Sequence, residues 1–486
     1  MTLYLPGFHL STLRRRPRSA QQILVQKLAD LKQKTFSQLG ECFGQYIPKQ
    51  HLQPAESGAL SRRRLFSKEN TFWAFLSQVL DADGGCQEVV RKLQAFSALK
   101  TKSLPSSSTA AYCQARKKLE VSDLEAILLH TSSRLRSKTD DGALEGRRVI
   151  VVDGTGLSMP DTVDNQRVWP QQKTQKPGCG FPQLSLCACF DLQTGGLLSH
   201  ELGNKKSSEL PMLRKQWNTF EKGDIFLGDK GFCSFFDLYS FKKRSVDSVI
   251  TLARRTPVTA LEALKVLGKD DFLIHWKKPV RYKAASYSEK DWQELPENLL
   301  LRQIKVTVKQ PGFRVSSFHI ITTLLDADKY PASEIEKLYY QRWDVELFFR
   351  DIKTTMGMDI LRCKTPDMIR KEILMYLIAY NCIRCLMLEA AERKSLEVNR
   401  ISFKASIQAL RQWEPHLNQA NINRRDQRNL VQRLYESIAG KITPYRPGRS
   451  EPRAVKRRPK PFQLLTAPRE EMRTMDLRRK YRAKKA

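Results

Sequence analysis

An α/β fold is expected for this chain from three observations. Short apolar, β-branched runs at about 149–152, 184–190, 224–227 and 246–253 alternate with helical patterns, as strands and their connecting helices do. A second β-rich stretch, at about 256–325, interrupts that series before long helical patterns resume. Basic helical segments precede the series, and a segment rich in Arg, Lys and Pro follows it. The implied division is 1–140 helical, 145–255 first part of the α/β core, 256–325 β-rich insertion, 326–440 helical completion of the core, and 441–486 basic tail.

The elements follow in order. Ser67 is placed to cap a helix carrying Phe72, Trp73, Phe75, Leu76, Val79 and Leu80. Ser107 or Ser108 is placed to cap the next, and Ser122 with Glu125 forms a capping-box pattern for a third. Capped basic helices suit a DNA-binding domain, although charges on a solvated face give the same pattern. Arg147-Arg148 then lead into Val149-Ile150-Val151-Val152, a buried strand ending on Asp153. A loop rich in Pro, Gly and Gln precedes a strand at 184–190, where Cys187 and Cys189 alternate with apolar neighbours. Turn residues Asp191 to Gly196 lead to Leu197-Leu198, opening a third strand. A helix at 208–221, a strand at 224–227 closing on Gly228-Asp229-Lys230-Gly231-Phe232, another helix and a strand at 246–253 follow. Strand, hairpin, helix, strand, helix, strand is the order of an RNase H-like core. In the insertion, strands are expected at 272–276, 299–308 and 315–323. Ser333 and Glu336 form a capping-box pattern for a long helix over 334–356, and an apolar helix follows at about 370–392.

Composition narrows the partners. The 486 residues carry 84 Lys and Arg against 51 Asp and Glu, a net charge of +33. Such an excess concerns partners rather than fold, and the partner it favours is a polyanion. The apolar fraction of 41% supports real cores and excludes a disordered polyelectrolyte. No membrane-spanning segment is expected, because no uninterrupted apolar run approaches about 18 residues. The first 18 residues place a short apolar stretch before Arg14-Arg15-Arg16, the reverse of a secretory signal. The ten cysteines lack paired metal-ligand spacing, and Cys382 and Cys385 lie in an apolar run that reads as core. A reduced, cytoplasmic protein is expected.

Two carboxylates carry the chemistry. Asp153 and Asp229 each close a buried strand, where open α/β sheets place their ligands. A carboxylate there is costly to desolvate without a cation, and two of them repel unless a metal lies between. Oxygen ligands favour Mg²⁺ or Mn²⁺. Two such ions roughly 3.5–4 Å apart stabilise the attacking and leaving oxygens of a phosphoryl displacement. The long helix supplies a third carboxylate. On a continuous α-helix Tyr339, Arg342, Glu346 and Lys353 fall within a sector of about 60°. Alone, such a stripe is equally a surface face with internal ion pairs. Beside two strand-end aspartates it fits a metal and phosphate site.

The spacing Tyr339-Arg342-Glu346-Lys353 resembles the signature of the insertion-sequence-four family of bacterial transposases. Val152-Asp153-Gly154-Thr155, Gly180-Phe181-Pro182-Gln183, Gly228-Asp229-Lys230-Gly231-Phe232, Tyr340-Gln341-Arg342-Trp343 and Ala379-Tyr380-Asn381 resemble it too. The resemblance covers about 145–395 well and the ends more loosely. It implies an RNase H-like catalytic core interrupted by a β-strand insertion. It implies Asp153, Asp229 and Glu346 as ligands of two Mg²⁺ (or Mn²⁺) ions, with Tyr339, Arg342 and Lys353 on DNA phosphates. The implied reaction cuts the ends of an insertion element and joins the 3′-hydroxyls to target DNA. A homodimer in the synaptic complex and a bacterial, nucleoid-associated location are implied with it. Some relatives hold a flipped base on an aromatic of the insertion. Phe318 and His319 lie near that place, where core packing is the simpler role. A nuclease that only cuts, and an inactive DNA-binding protein, remain as alternatives.

Overall fold

The first described helix begins where a serine caps it. In this computed structural model the described residues are 42–61, 64–98, 104–137, 143–204, 208–253, 257–281, 287–307, 317–417, 424–444 and 465–474. Helix α1, Lys68–Leu80, starts at Ser67, whose side chain accepts from the Asn70 N–H. Helices α2 (Cys86–Ala98), α3 (Ala110–Lys117) and α4 (Val121–Arg134) follow. Two expected caps are not observed. Thr109 stands at the start of α3 without a side-chain cap, and Ser108 instead accepts from the Ala110 N–H. Glu120 stands at the start of α4, so Ser122 lies inside the helix and makes no capping box. Residues 1–41 lie outside the described residues.

Strand β1, Val149–Ser158, pairs antiparallel with β2, Gln183–Asp191, which pairs with β3, Leu197–Asn204; helix α5, Val163–Val168, lies in the β1–β2 connection. After α6, Glu209–Arg214, strand β4, Ile225–Gly228, lies parallel to β1. Helix α7, Phe235–Lys243, leads to β5, Asp247–Thr251, parallel to β4. The order expected for the core is therefore observed. Its strands read as continuous apolar runs because both faces are covered. Val149 and Val151 face one hydrophobic core, and Ile150 and Val152 face a second.

The inserted strands do not form a separate unit. They are β6 (Lys265–Gly268), β7 (Asp271–Lys277), β8 (Asn298–Thr307) and β9 (Ser317–Thr322), with α8 (Glu289–Gln293) between β7 and β8. Strand β9 pairs antiparallel with β5, giving one nine-stranded sheet in the order β3-β2-β1-β4-β5-β9-β8-β7-β6. A buried ion pair holds the inserted half, since Arg302 on β8 donates from Nε and Nη2 to Asp271 at 2.8 and 2.5 Å.

The expected long helix is three pieces. Helix α9 covers Ala332–Gln341 and α10 Asp344–Arg350, and a π turn follows over Asp351–Thr355. Pro331, with φ −54°, opens α9 without a side-chain cap, so Ser333 and Glu336 make no capping box. Helix α11, Pro366–Glu392, is long and apolar enough to cross a membrane, with a mean hydropathy of 1.5 over its best window. That window is 89% buried, so α11 is a core helix. Cys382 and Cys385 are buried in it, as expected. Asn381 ties it to the sheet, accepting from the Leu197 N–H at 3.0 Å and donating to the Leu197 carbonyl at 3.0 Å. Tyr380 donates to the carbonyl of Gly195, whose φ of +65° and proximity to Arg384 leave no room for a Cβ.

Helices α12 (Phe403–Leu417) and α13 (Arg424–Ala439) complete the bundle. The first core joins α1, α4, α11 and the sheet, so the leading helices share apolar packing with the α/β region. In the expected basic tail, residues 465–474 carry a short helix, α14 (Arg469–Thr474), held by hydrogen bonds from Arg469 to Asp161 and to the Gly180 carbonyl. The Lys456-Arg457-Arg458 cluster lies outside the described residues.

Candidate active site

Asp153 and Asp229 are brought side by side by strand register. The parallel pairing of β1 with β4 matches Val149, Ile150 and Val151 to Ile225, Phe226 and Leu227. Two residues on, that register sets Asp153 beside Asp229. The expected end of the first strand is corrected here. Strand β1 continues to Ser158 by pairing with β2 alone, so Asp153 marks the end of the parallel ladder and not of the strand. Beyond Val151 the chain leaves β4 and opens a cleft at the carboxyl ends of the parallel strands.

Local hydrogen bonds hold both carboxylates. Asp153 Oδ1 accepts from the Gly154 N–H at 2.8 Å, and Asp229 Oδ1 from the Gly231 N–H at 2.7 Å. Burial pushes the Asp153 pKa up to about 6. The Gly154 N–H and Arg342 oppose that rise, while the nearby charges of Asp229 and Glu346 add to it.

The helix stripe reaches the cleft despite the break. Tyr339 hydrogen-bonds Thr251 at the end of β5 and packs against Phe318 at 5.1 Å between ring centroids. Arg342 sits in the break, 7% exposed, with its guanidinium 4.3 Å from the Trp343 ring and 5.7 Å from that of Tyr339. Its Nε has no hydrogen-bond partner among the described residues. Glu346 lies on α10, near enough to perturb Asp153. Lys353, in the π turn, donates from Nζ to Thr155 Oγ1 at 2.8 Å and to the Gly156 carbonyl at 3.1 Å, both on β1. A continuous helix does not align these four residues; the break and the π turn rotate successive pieces toward the same strand ends.

The donors are hard oxygens, the set that a divalent ion of the magnesium kind takes. Gly154 and Gly231 keep the strand ends free of Cβ atoms where carboxylates stand. Among the described residues no three Asp, Glu, His or Cys side chains close on one point. Mutual repulsion among Asp153, Asp229 and Glu346 accounts for that spread. Glu209, at the start of α6, also borders the cleft: a Cβ on Gly154 would overlap its carboxylate. Nothing in the sequence marked it, since an acid in a helix's first turn is ordinary. Phe318 packs on Tyr339 and Tyr340, in keeping with a packing role.

Comparison with known proteins places these features in a family. The model of the transposase DDE domain matches residues 144–382, a span containing both aspartates and the Tyr339–Lys353 segment. The chain is 26% identical over 424 residues to the transposase InsG for insertion sequence element IS4 of Escherichia coli (strain K12), covering 85% of this chain and 90% of that one. It is 33% identical over 60 residues to the transposase for insertion sequence element IS421 of Escherichia coli, 12% of this chain and 16% of that one. A cryo-EM structure of a piggyBac transposase synaptic complex with hairpin DNA aligns over 84% of this chain and 85% of that one, at 10% identity and a TM-score of 0.42, too slight a likeness to argue from. The chain is thus a DNA transposase of the insertion-sequence-four family, an enzyme of metal-dependent DNA cleavage and strand transfer.

Proposed function

We propose that Asp153, Asp229 and Glu346 hold two Mg²⁺ or Mn²⁺ ions, and that Tyr339, Arg342 and Lys353 bind phosphates at the cleaved end of the element. The observation that carries this reading is the parallel register that sets the two aspartates side by side, with Glu346 perturbing one of them. The ions supply activation of the attacking oxygen and neutralisation of the leaving one. The chain supplies position and charge. Arg342 is desolvated against two aromatic rings, and its Nε is available for a phosphate oxygen. Lys353, held on β1 beside Asp153, adds a point charge within the cleft. Tyr339, fixed by Thr251, sets the floor.

In this reading the β1–β5 unit is an RNase H-like core, and β6–β9 its insertion. The 3′-hydroxyls freed at the element's ends attack target DNA within a homodimeric synaptic complex, at the nucleoid in the bacterial cytoplasm. Residues 1–140 recognise the end sequence, and the basic segment beyond 441 adds affinity without base specificity. The test is incubation of the full chain with linear element-end DNA and Mg²⁺, with binding followed by gel shift. Joined products are expected from the native chain, and Glu346→Gln is expected to retain binding and lose both products. Cutting without joining would move the chain to the nuclease alternative. A Glu346→Gln protein that still cuts and joins at the native rate would remove Glu346 from the site.

A further inference from the structure

Glu209 stands against both aspartate-bearing segments. The Cβ that Gly154 lacks would overlap the Glu209 Oε1, so the carboxylate occupies the surface of β1 next to Asp153. A Cβ on Gly231 would lie 2.9 Å from Asp229 Oδ1 and 3.5 Å from Glu209 Oε2, so both carboxylates border one backbone position after β4. The Cys187 thiol, paired across the strands with Gly154, feels Glu209 and Asp153 together. These are three separate contacts with the same cleft, made from β1, β2 and the turn after β4.

The face from which Glu209 approaches matters. Side chains alternate along β1, so Gly154 lies on the face of Ile150 and Val152, where α6 packs through Met212 and Leu213. Helices α9 and α10 pack on the other face, with Leu338, Val345 and Phe348. Glu346 therefore comes to the strand ends from one face and Glu209 from the other. An acid that merely offsets a helix dipole has no reason to lie across a neighbouring strand. Nor would a chain gather acids in one place without a cation to neutralise them.

We propose that Glu209 is a fourth carboxylate ligand of the divalent metal site, held on the face opposite Glu346. This rests on the reading of Asp153 and Asp229 as metal ligands. Glycine at 154 then has a stated purpose: it admits the Glu209 carboxylate to the ion beside Asp153.

The test measures Mn²⁺ binding to the full-length protein without DNA, by electron paramagnetic resonance titration, alongside metal-free melting curves. Glu209→Gln keeps the size of the side chain and removes its charge, and about a 10-fold weaker Mn²⁺ affinity is expected. Gly154→Ala, which pushes the carboxylate aside while leaving Glu209 ionised, is expected to weaken Mn²⁺ in the same direction. Asp153→Asn is the reference. If Asp153→Asn weakens binding while Glu209→Gln and Gly154→Ala bind as the native chain does, the Glu209 proposal is overturned and the aspartate reading stands. If Asp153→Asn also binds Mn²⁺ as the native chain does, the aspartate reading fails and this proposal with it.

Discussion

The inserted half of the sheet and its catalytic half each bury an arginine, and the two are used in opposite ways. Arg302, 0% exposed on β8, is satisfied on every side: Asp271 takes two of its donors, and the Tyr330 carbonyl accepts from Nη1 at 2.7 Å. Arg342, also buried, stands in a break between helices with rings on its faces and no partner for Nε. A satisfied buried ion pair holds structure and leaves nothing for a ligand. An unsatisfied one costs stability unless a ligand completes it. The carboxylates divide in the same way. Asp271 is neutralised by Arg302, whereas Asp153 sits among acids that raise its pKa.

The largest expected effect separates the halves by what each change damages. Asp153→Asn, Asp229→Asn and Glu346→Gln should each reduce cleavage and joining together by about 1000-fold or more, because phosphoryl transfer depends on charge placed at the reacting oxygens. End-DNA affinity and metal-free melting temperature should be kept. Quantified product formation and gel shift check this on the same preparations. A variant that loses binding and melts early would put its carboxylate with Asp271, as a structural group.

Arg302→Ala should do the reverse. It leaves Asp271 buried and unneutralised, a loss of about 3–5 kcal/mol for a broken buried pair. The expected signature in a denaturation curve is a lower midpoint, with activity per folded molecule unchanged. Native stability in the variant would mean that water reaches Asp271 and that the pair is not the insertion's anchor.

Replacing both arginines by lysine sharpens the contrast at smaller amplitude. Lysine cannot offer the planar fork that Asp271 receives, so Arg302→Lys should still destabilise. Arg342→Lys keeps the charge in the cleft, and its stability should stay within about 0.5 kcal/mol of the native chain. Its strand transfer should nevertheless fall by about 10-fold, since a point charge replaces a fork that spans phosphate oxygens. Equal strand transfer with lysine would confine Arg342 to packing on Trp343.

The comparison also explains what the sequence could convey. Asp153 and Asp229 were legible because each follows a run of residues apolar on both faces, a pattern that marks a buried parallel strand. The inserted strands were legible one by one, but their union with the core was not. The pairing of β5 with β9 joins residues far apart in the chain, which local pattern does not encode. The single long helix was misread because the segment from 334 to 356 is helical by local preference almost throughout. Its break at Arg342 and Trp343 comes from tertiary packing, with the guanidinium folded over two rings. The caps failed for a related reason: Pro331 fixes the entry to α9 before Ser333 can act. Glu209 carried no signal of its own, because only the folded chain brings α6 against Gly154.

The smallest expected effect is a pH dependence in the metal-free protein. Burial, then the charges of Asp229 and Glu346, raise the Asp153 pKa from its ordinary value of 3.8 to about 6, against the pull of the Gly154 N–H and Arg342. Between those two values the folded chain holds a proton that the unfolded chain releases, so this group makes stability fall as pH rises. The cost is absent below the unfolded pKa and complete above the folded one. Asp153→Asn removes the group, so the variant should equal the native chain near pH 3.5 and exceed it by about 1–3 kcal/mol above pH 7. Adding Mn²⁺ at pH 7 should reverse the order, since only the native chain gains a neutralising partner. Chemical denaturation of both proteins across pH 3.5–8, with and without Mn²⁺, measures the difference. Parallel profiles would mean that Asp153 is not strained by its neighbours and belongs with the satisfied carboxylates of the insertion.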